Sequence, residues 1–108
     1  MLNGELRLEH LNMPAREPVT LAKWYAEQFG LKQDEHRVRG NGVLLVFQQG
    51  EPVNRTELHL GLRVPSNAAL AEWAQRFSQQ ITPGSEFNTF RVHDPEGNMV
   101  EVYCEADS

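Results

Sequence analysis

Two histidines and one glutamate are the residues of this 108-residue chain best suited by type and position to do chemistry. His10-Leu11 returns as His59-Leu60, Leu21-Ala22 as Leu70-Ala71 and Trp24 as Trp73, all at one offset of 49 residues. A strand-then-helix unit is therefore used twice, with a histidine at the same place in each copy. Two copies of one unit pack about a pseudo-two-fold axis, which predicts that His10 and His59 face a shared space where a metal could sit. Glu101 lies between Val100 and Val102, and a carboxylate so placed needs water, a partner or a metal to offset its desolvation. Two imidazoles and one carboxylate suit Fe2+, Mn2+, Zn2+ or Ni2+ and leave coordination positions open for a substrate.

The elements that must position these residues can be read from periodicity. Leu6 to Met13 alternates as a strand, with Leu11 and Met13 on one face and Leu8, His10 and Asn12 on the other. Pro14 is expected to end it, and Pro18 suits the first turn of a helix. Leu21, Trp24, Tyr25, Gln28 and Phe29 keep helical spacing up to a stop at Gly30. Residues 32–39 are charged and predict a short edge strand. Asn41-Gly42 is a tight-hairpin signal into Val43–Gln49. Gly50–Arg55 reads as a linker.

The second copy opens with alternation over Glu57–Val64. Pro65-Ser66 supplies a break and an N-cap, and a helix is predicted over Asn67–Gln79 with Leu70, Trp73, Ala74 and Phe77 buried. Thr82-Pro83-Gly84 marks a turn. Thr89–His93 and Asn98–Cys104 form a hairpin around Asp94-Pro95-Glu96-Gly97. On its last strand Met99, Glu101 and Tyr103 share one face, and Val100, Val102 and Cys104 the other. If the apolar face of each copy covers its helix, His10, His59 and Glu101 all lie on the opposite face. Asn12 and Arg63 project there too, joined by Arg91 and by Tyr103, so all four are candidates to bind substrate. Tyr103 and Arg63 are the candidates to act directly in a reaction. His36 reads as a surface residue and His93 as a structural one at the hairpin mouth.

Composition narrows the partners. The formal charge of −5 and the absence of a basic run argue against nucleic acid and anionic membranes. No apolar run approaches the length of a membrane span, and the opening residues lack a secretion signal. The single cysteine, Cys104, excludes an internal disulfide and reads as packing. A cytoplasmic protein with a small-molecule substrate is expected.

Four stretches resemble the vicinal oxygen chelate superfamily, which includes glyoxalases, extradiol dioxygenases, and the fosfomycin- and bleomycin-resistance proteins. They are EHLNM, LAKWYAEQFGLK, LHLGLRV and FRVHDPEGNMVEVY. The DPEGN turn, with Glu101 four residues after Gly97, is the most specific of them. The resemblance implies an α+β fold of two pseudo-symmetric βαβββ modules, about 1–52 and about 56–108 of a single domain over 1–108. Together they would form an open, cupped eight-strand sheet, with strands shortened in this brief chain. It also implies a homodimer. In the superfamily, metal ligands lie on the first and last strands of each module. His10, His59 and Glu101 match three of these places, and the fourth falls at Val46, which cannot bind metal. Gln48 is a weaker substitute.

The expected function is a small metal-dependent enzyme acting on a small, anionic substrate with vicinal oxygens. The missing first-module carboxylate weighs against glyoxalase-like proton transfer, and the lyase, dioxygenase and transferase branches stay open. The alternative is a non-catalytic binding or sequestering protein of the bleomycin-resistance type.

Overall fold

Helix α1 (Pro18–Phe29) begins at a proline, which needs no intrahelical N–H partner there, and ends at Gly30, whose φ of 67° is left-handed. It belongs to the first of two units, Met1–Pro52 and Val53–Ser108, into which the chain divides in this computed structural model. Residues 4, 6–53 and 57–107 are described. The end of the predicted linker, Asn54 and Arg55, lies outside them.

The first unit continues the expected order with β1 (Leu11–Ala15) before α1, then β2 (Lys32–Asp34), β3 (Arg37–Gly40) and β4 (Val43–Gln49). The sheet order is β1-β4-β3-β2, with β1 parallel to β4 and the other pairs antiparallel. Asn41 and Gly42 have φ of 50° and 81°, the positive pair that a two-residue turn from β3 into β4 requires. Leu45 and Phe47 of β4 are buried with Ala15 and Val38, beneath Leu21, Ala22 and Tyr25 of α1. Tyr25 stacks on Phe47 with ring centroids 5.4 Å apart, joining the helix to the sheet.

The opening strand departs from its predicted limits. It starts at Leu11, where pairing to Leu45 begins, and runs through Pro14 to Ala15. Leu6 and Leu8 are fully exposed, at 102% and 95%. Alternation alone suggested an earlier start, but a strand exists only where its backbone is paired with a neighbour, and the described residues before Leu11 are not paired. Pro14 is tolerated because β1 is an outer strand of this sheet, where a missing N–H leaves no central ladder broken.

The second unit comprises β5 (His59–Arg63), α2 (Asn67–Arg76), β6 (Phe87–His93) and β7 (Met99–Glu105). Its order is β5-β7-β6, with β5 parallel and β6 antiparallel to β7. The place β2 holds in the first unit is taken here by a single bridge, Thr82 to Thr89, with backbone bonds of 2.7 and 3.1 Å. Pro83 and Gly84 follow the bridge outside any strand, and a Cβ at Gly84 would stand 2.5 Å from the Phe87 carbonyl oxygen. Seven strands are thus present among the described residues, and the shortening expected of the second module is a strand reduced to one bridge.

Ser66 caps α2 by accepting from the Ala69 N–H at 3.1 Å. The helix closes at Arg76, three residues before its predicted end. Ser78 takes a φ of 54°, its N–H bonds the Gln75 carbonyl, and the Gln79 N–H bonds that of Ala74. This double closure is the Schellman pattern, formed here on a serine rather than a glycine. Leu70 and Ala74 pack with Phe90, Val92, Val100 and Val102 to form the core of the unit. Cys104 is buried there, and its thiol lies 3.1 Å from Asn67 Oδ1 at the start of α2.

Candidate functional site

Glu101 owes its position to the period of two along β7. Val100, Val102 and Cys104 point into the core, so Glu101 and Tyr103 point the other way. The turn before β7 sets the register. Asp94, 5% exposed, accepts the Glu96 and Asn98 N–H groups on Oδ1 at 2.9 and 3.0 Å and the Asn98 amide on Oδ2 at 2.8 Å. Gly97, at φ 89°, gives the left-handed step that closes this turn. The result pairs Arg91 with Glu101 across the β6–β7 ladder, while Gly61 stands opposite Glu101 on β5.

The Glu101 carboxylate therefore meets two nitrogens. Oε1 lies 3.7 Å from His59 Nε2, and Oε2 lies 3.5 Å from Arg91 Nε. Both separations exceed a well-formed hydrogen bond, so the group is neutralised without being tightly held. Its side chain is 22% exposed, the least of these three. Gly61 contributes no side chain between β5 and the carboxylate.

Around this pair the predicted residues divide. Arg63 is turned to Glu105, with Nη2 2.7 Å from Oε1. Tyr103 packs edge-on against Phe87 at a centroid distance of 5.6 Å and leans over Gly61. His93 is on the same face as Arg91, opposite Met99. An open groove of about 410 Å³ lies at the far end of β6 and β7. Ser85, Glu86, Phe87, Glu105, Ala106 and Asp107 line it, and Glu101 does not.

In the first unit, His10 precedes β1 by one residue, is exposed, and has Nδ1 3.1 Å from Glu9 Oε1. Asn12 is exposed on β1 opposite Val46 of β4, and Val46 is in turn opposite Arg37 of β3. The position expected to lack a ligand is thus an apolar one flanked by an amide and a guanidinium. Arg37 went unremarked in the sequence, although counting back from the Asn41-Gly42 turn places it in this row. His36, expected at the surface, is half-buried, and its carbonyl accepts the Phe47 N–H at 2.9 Å.

Whether these residues fit a metal can be judged from the His59–Glu101 pair. Two ligand atoms on one tetrahedral ion, each about 2.1 Å from it, stand about 3.4 Å apart. The observed 3.7 Å is close to that spacing, and a neutral imidazole with a carboxylate is a suitable donor set for borderline divalent ions. The pair fits. Among the described residues, no group of three His, Cys, Asp or Glu side chains is already gathered to hold an ion.

The glyoxalase-like domain family profile matches residues 10–103. This chain is a member of the glyoxalase-like domain family. The match spans both copies of the repeated unit, from His10 to Tyr103, and places the chain in the vicinal oxygen chelate superfamily that its motifs resemble. No curated protein sequence matches the chain significantly.

Solved structures share the glyoxalase-like fold at low identity. A possible glyoxalase from Bacillus cereus is 24% identical with a TM-score of 0.74, over 93% of this chain and 100% of that one. Lactoylglutathione lyase from Agrobacterium tumefaciens is 17% identical with a TM-score of 0.70, over 94% and 95%. A glyoxalase/bleomycin resistance protein/dioxygenase from Alicyclobacillus acidocaldarius is 19% identical with a TM-score of 0.69, over 89% of each chain. No helix among the described residues of this glyoxalase-like chain is long and apolar enough to cross a membrane.

Proposed function

We propose that this chain is a metal-dependent enzyme in which His59, Glu101 and His10 bind one divalent cation beside a small anionic substrate with two adjacent oxygens. The observation that carries this reading is the Glu101 carboxylate, set on the open sheet face with His59 Nε2 at 3.7 Å. Mn2+, Fe2+, Zn2+ and Ni2+ all suit the donors. The bound cation would supply Lewis-acid polarisation of the substrate oxygens. The rest is the work of this chain's own side chains. Arg91 offers a guanidinium beside Glu101 for an anionic group. Arg63 lies on β5 with its guanidinium paired to Glu105, and Tyr103 offers a hydroxyl from the neighbouring β7. Asn12 offers an amide from the first module.

Val46, without a donor atom, stands where the superfamily pattern puts a fourth ligand. That supports a dioxygenase or transferase assignment over glyoxalase-type proton transfer. A second reading, a non-catalytic binder of the bleomycin-resistance type, is favoured by Arg91, which offsets the Glu101 charge without any cation. A homodimer is part of the proposal, and sedimentation velocity giving twice the chain mass would support it.

Elemental analysis of tag-free protein purified without chelator, followed by metal titration of the stripped form, separates the two readings. About one transition metal per chain, lost in His59→Ala and in His10→Ala, supports the enzyme. No metal and no tight titration would move the chain to the binder class.

A further inference from the structure

The salt bridge between Arg91 and Glu101 occupies the carboxylate that the proposed cation requires. We infer that the two exchange. Arg91 holds Glu101 in the metal-free protein, and a divalent cation displaces it and frees it to bind the carboxylate of the substrate. Cation and anion then bind cooperatively, and the substrate class is a small carboxylate with an adjacent hydroxyl or keto oxygen. The inference rests on the metal reading above and adds a coupling to it.

Three features support the exchange. Arg91 and Glu101 are directly opposite in the antiparallel β6–β7 ladder, so the guanidinium stays beside the site after it lets go. The contact is loose: the nearest nitrogen is the inner Nε, at 3.5 Å, and the Arg91 side chain is 57% exposed. Such half-exposed pairs are weak and readily rearranged. Finally, the two carboxylate oxygens have separate partners, His59 on one and Arg91 on the other. A cation seated between His59 Nε2 and Glu101 Oε1 would offset the carboxylate charge and repel the guanidinium, loosening the hold of Arg91 on Oε2.

Charge balance supplies the coupling. Glu101 and Arg91 cancel, so a divalent cation leaves the local site two charges positive. A guanidinium beside that cation is repelled unless an anion stands between them. A carboxylate can take the planar donor fork of arginine through both oxygens, while the neighbouring hydroxyl or keto oxygen reaches towards the cation. An effector that changes affinity in this way does so reciprocally, commonly by about 5- to 150-fold.

The test is a titration of the full chain with Mn2+, read by the electron paramagnetic resonance signal of free Mn2+, and with Zn2+ by calorimetry. Each is run alone, with glycolate, and with its uncharged analogue glycolamide. Glycolate should tighten metal binding about fivefold or more, and glycolamide should not. Arg91→Gln should bind metal alone at least as tightly as the unsubstituted chain, because a competitor is gone, and should lose the glycolate effect. Unchanged melting of that exposed variant would confirm that the fold survives. Metal binding without a glycolate effect, or weaker binding of metal alone by Arg91→Gln, would overturn the exchange and leave the metal reading standing. Failure of both ions to bind either protein would overturn both.

Discussion

Asn98 donates its side-chain amide to Asp94 Oδ2 at 2.8 Å, closing a turn in which the same carboxylate also receives two backbone N–H groups. This buried contact holds β6 and β7 in the register that sets Glu101 against Arg91. Asp94→Ala should cost about 2–4 kcal/mol, since three donors aimed at a charged acceptor lose it together. Chemical denaturation would check this, and a variant as stable as the parent would show that the turn holds without its aspartate.

Glu101→Gln separates function from fold. The side chain is at the sheet surface with no hydrogen bond of its own in the core, so melting should shift by only about 1–3 °C, as surface substitutions commonly do. Affinity for a divalent cation should fall at least about tenfold, because a charged ligand becomes a neutral amide. Calorimetry with Zn2+ and a thermal melt measure the two effects. Unchanged metal affinity would remove Glu101 from the ligand set.

Phe47→Ala tests the contact that joins α1 to its sheet. Phe47 is fully buried and stacks on Tyr25, so its truncation should cost about 3–5 kcal/mol. A urea unfolding curve would show the drop in midpoint. A loss below about 1 kcal/mol would mean that Tyr25 refills the space, against the rule that such cavities collapse only in part.

The ends of α2 predict changes of opposite sign. Ser66→Ala removes the side-chain cap on the Ala69 N–H and should destabilise by about 1 kcal/mol. Ser78→Gly relieves a left-handed residue of its Cβ and should stabilise by about 0.5–1 kcal/mol. Differential scanning calorimetry on both single variants would show Tm moving down in the first and up in the second. A fall in Tm for Ser78→Gly would mean the glycine loosens the unfolded chain more than it relaxes the helix end.

What could be read in the chain was whatever is local. The stop at Gly30, the Asn41-Gly42 turn, the Ser66 cap and the alternation that turns Glu101 away from Val100 and Val102 depend on neighbouring residues alone. The reuse of one unit at a fixed offset likewise needs only the order of residues. Other features depend on what a segment meets after folding. β1 begins at Leu11, where its pairing with β4 begins. A whole strand of the second module contracts to the Thr82 bridge, which only the backbone pairing reveals. α2 ends early because Ser78 adopts the left-handed turn that composition would assign to a glycine. At the candidate site the division is the same. Side-chain type and period put His59, Arg91 and Glu101 among the candidates on one face. Only cross-strand register could pair Arg91 with Glu101 and send Arg63 to Glu105, because electrostatic partners are chosen by distance in space rather than by distance along the chain.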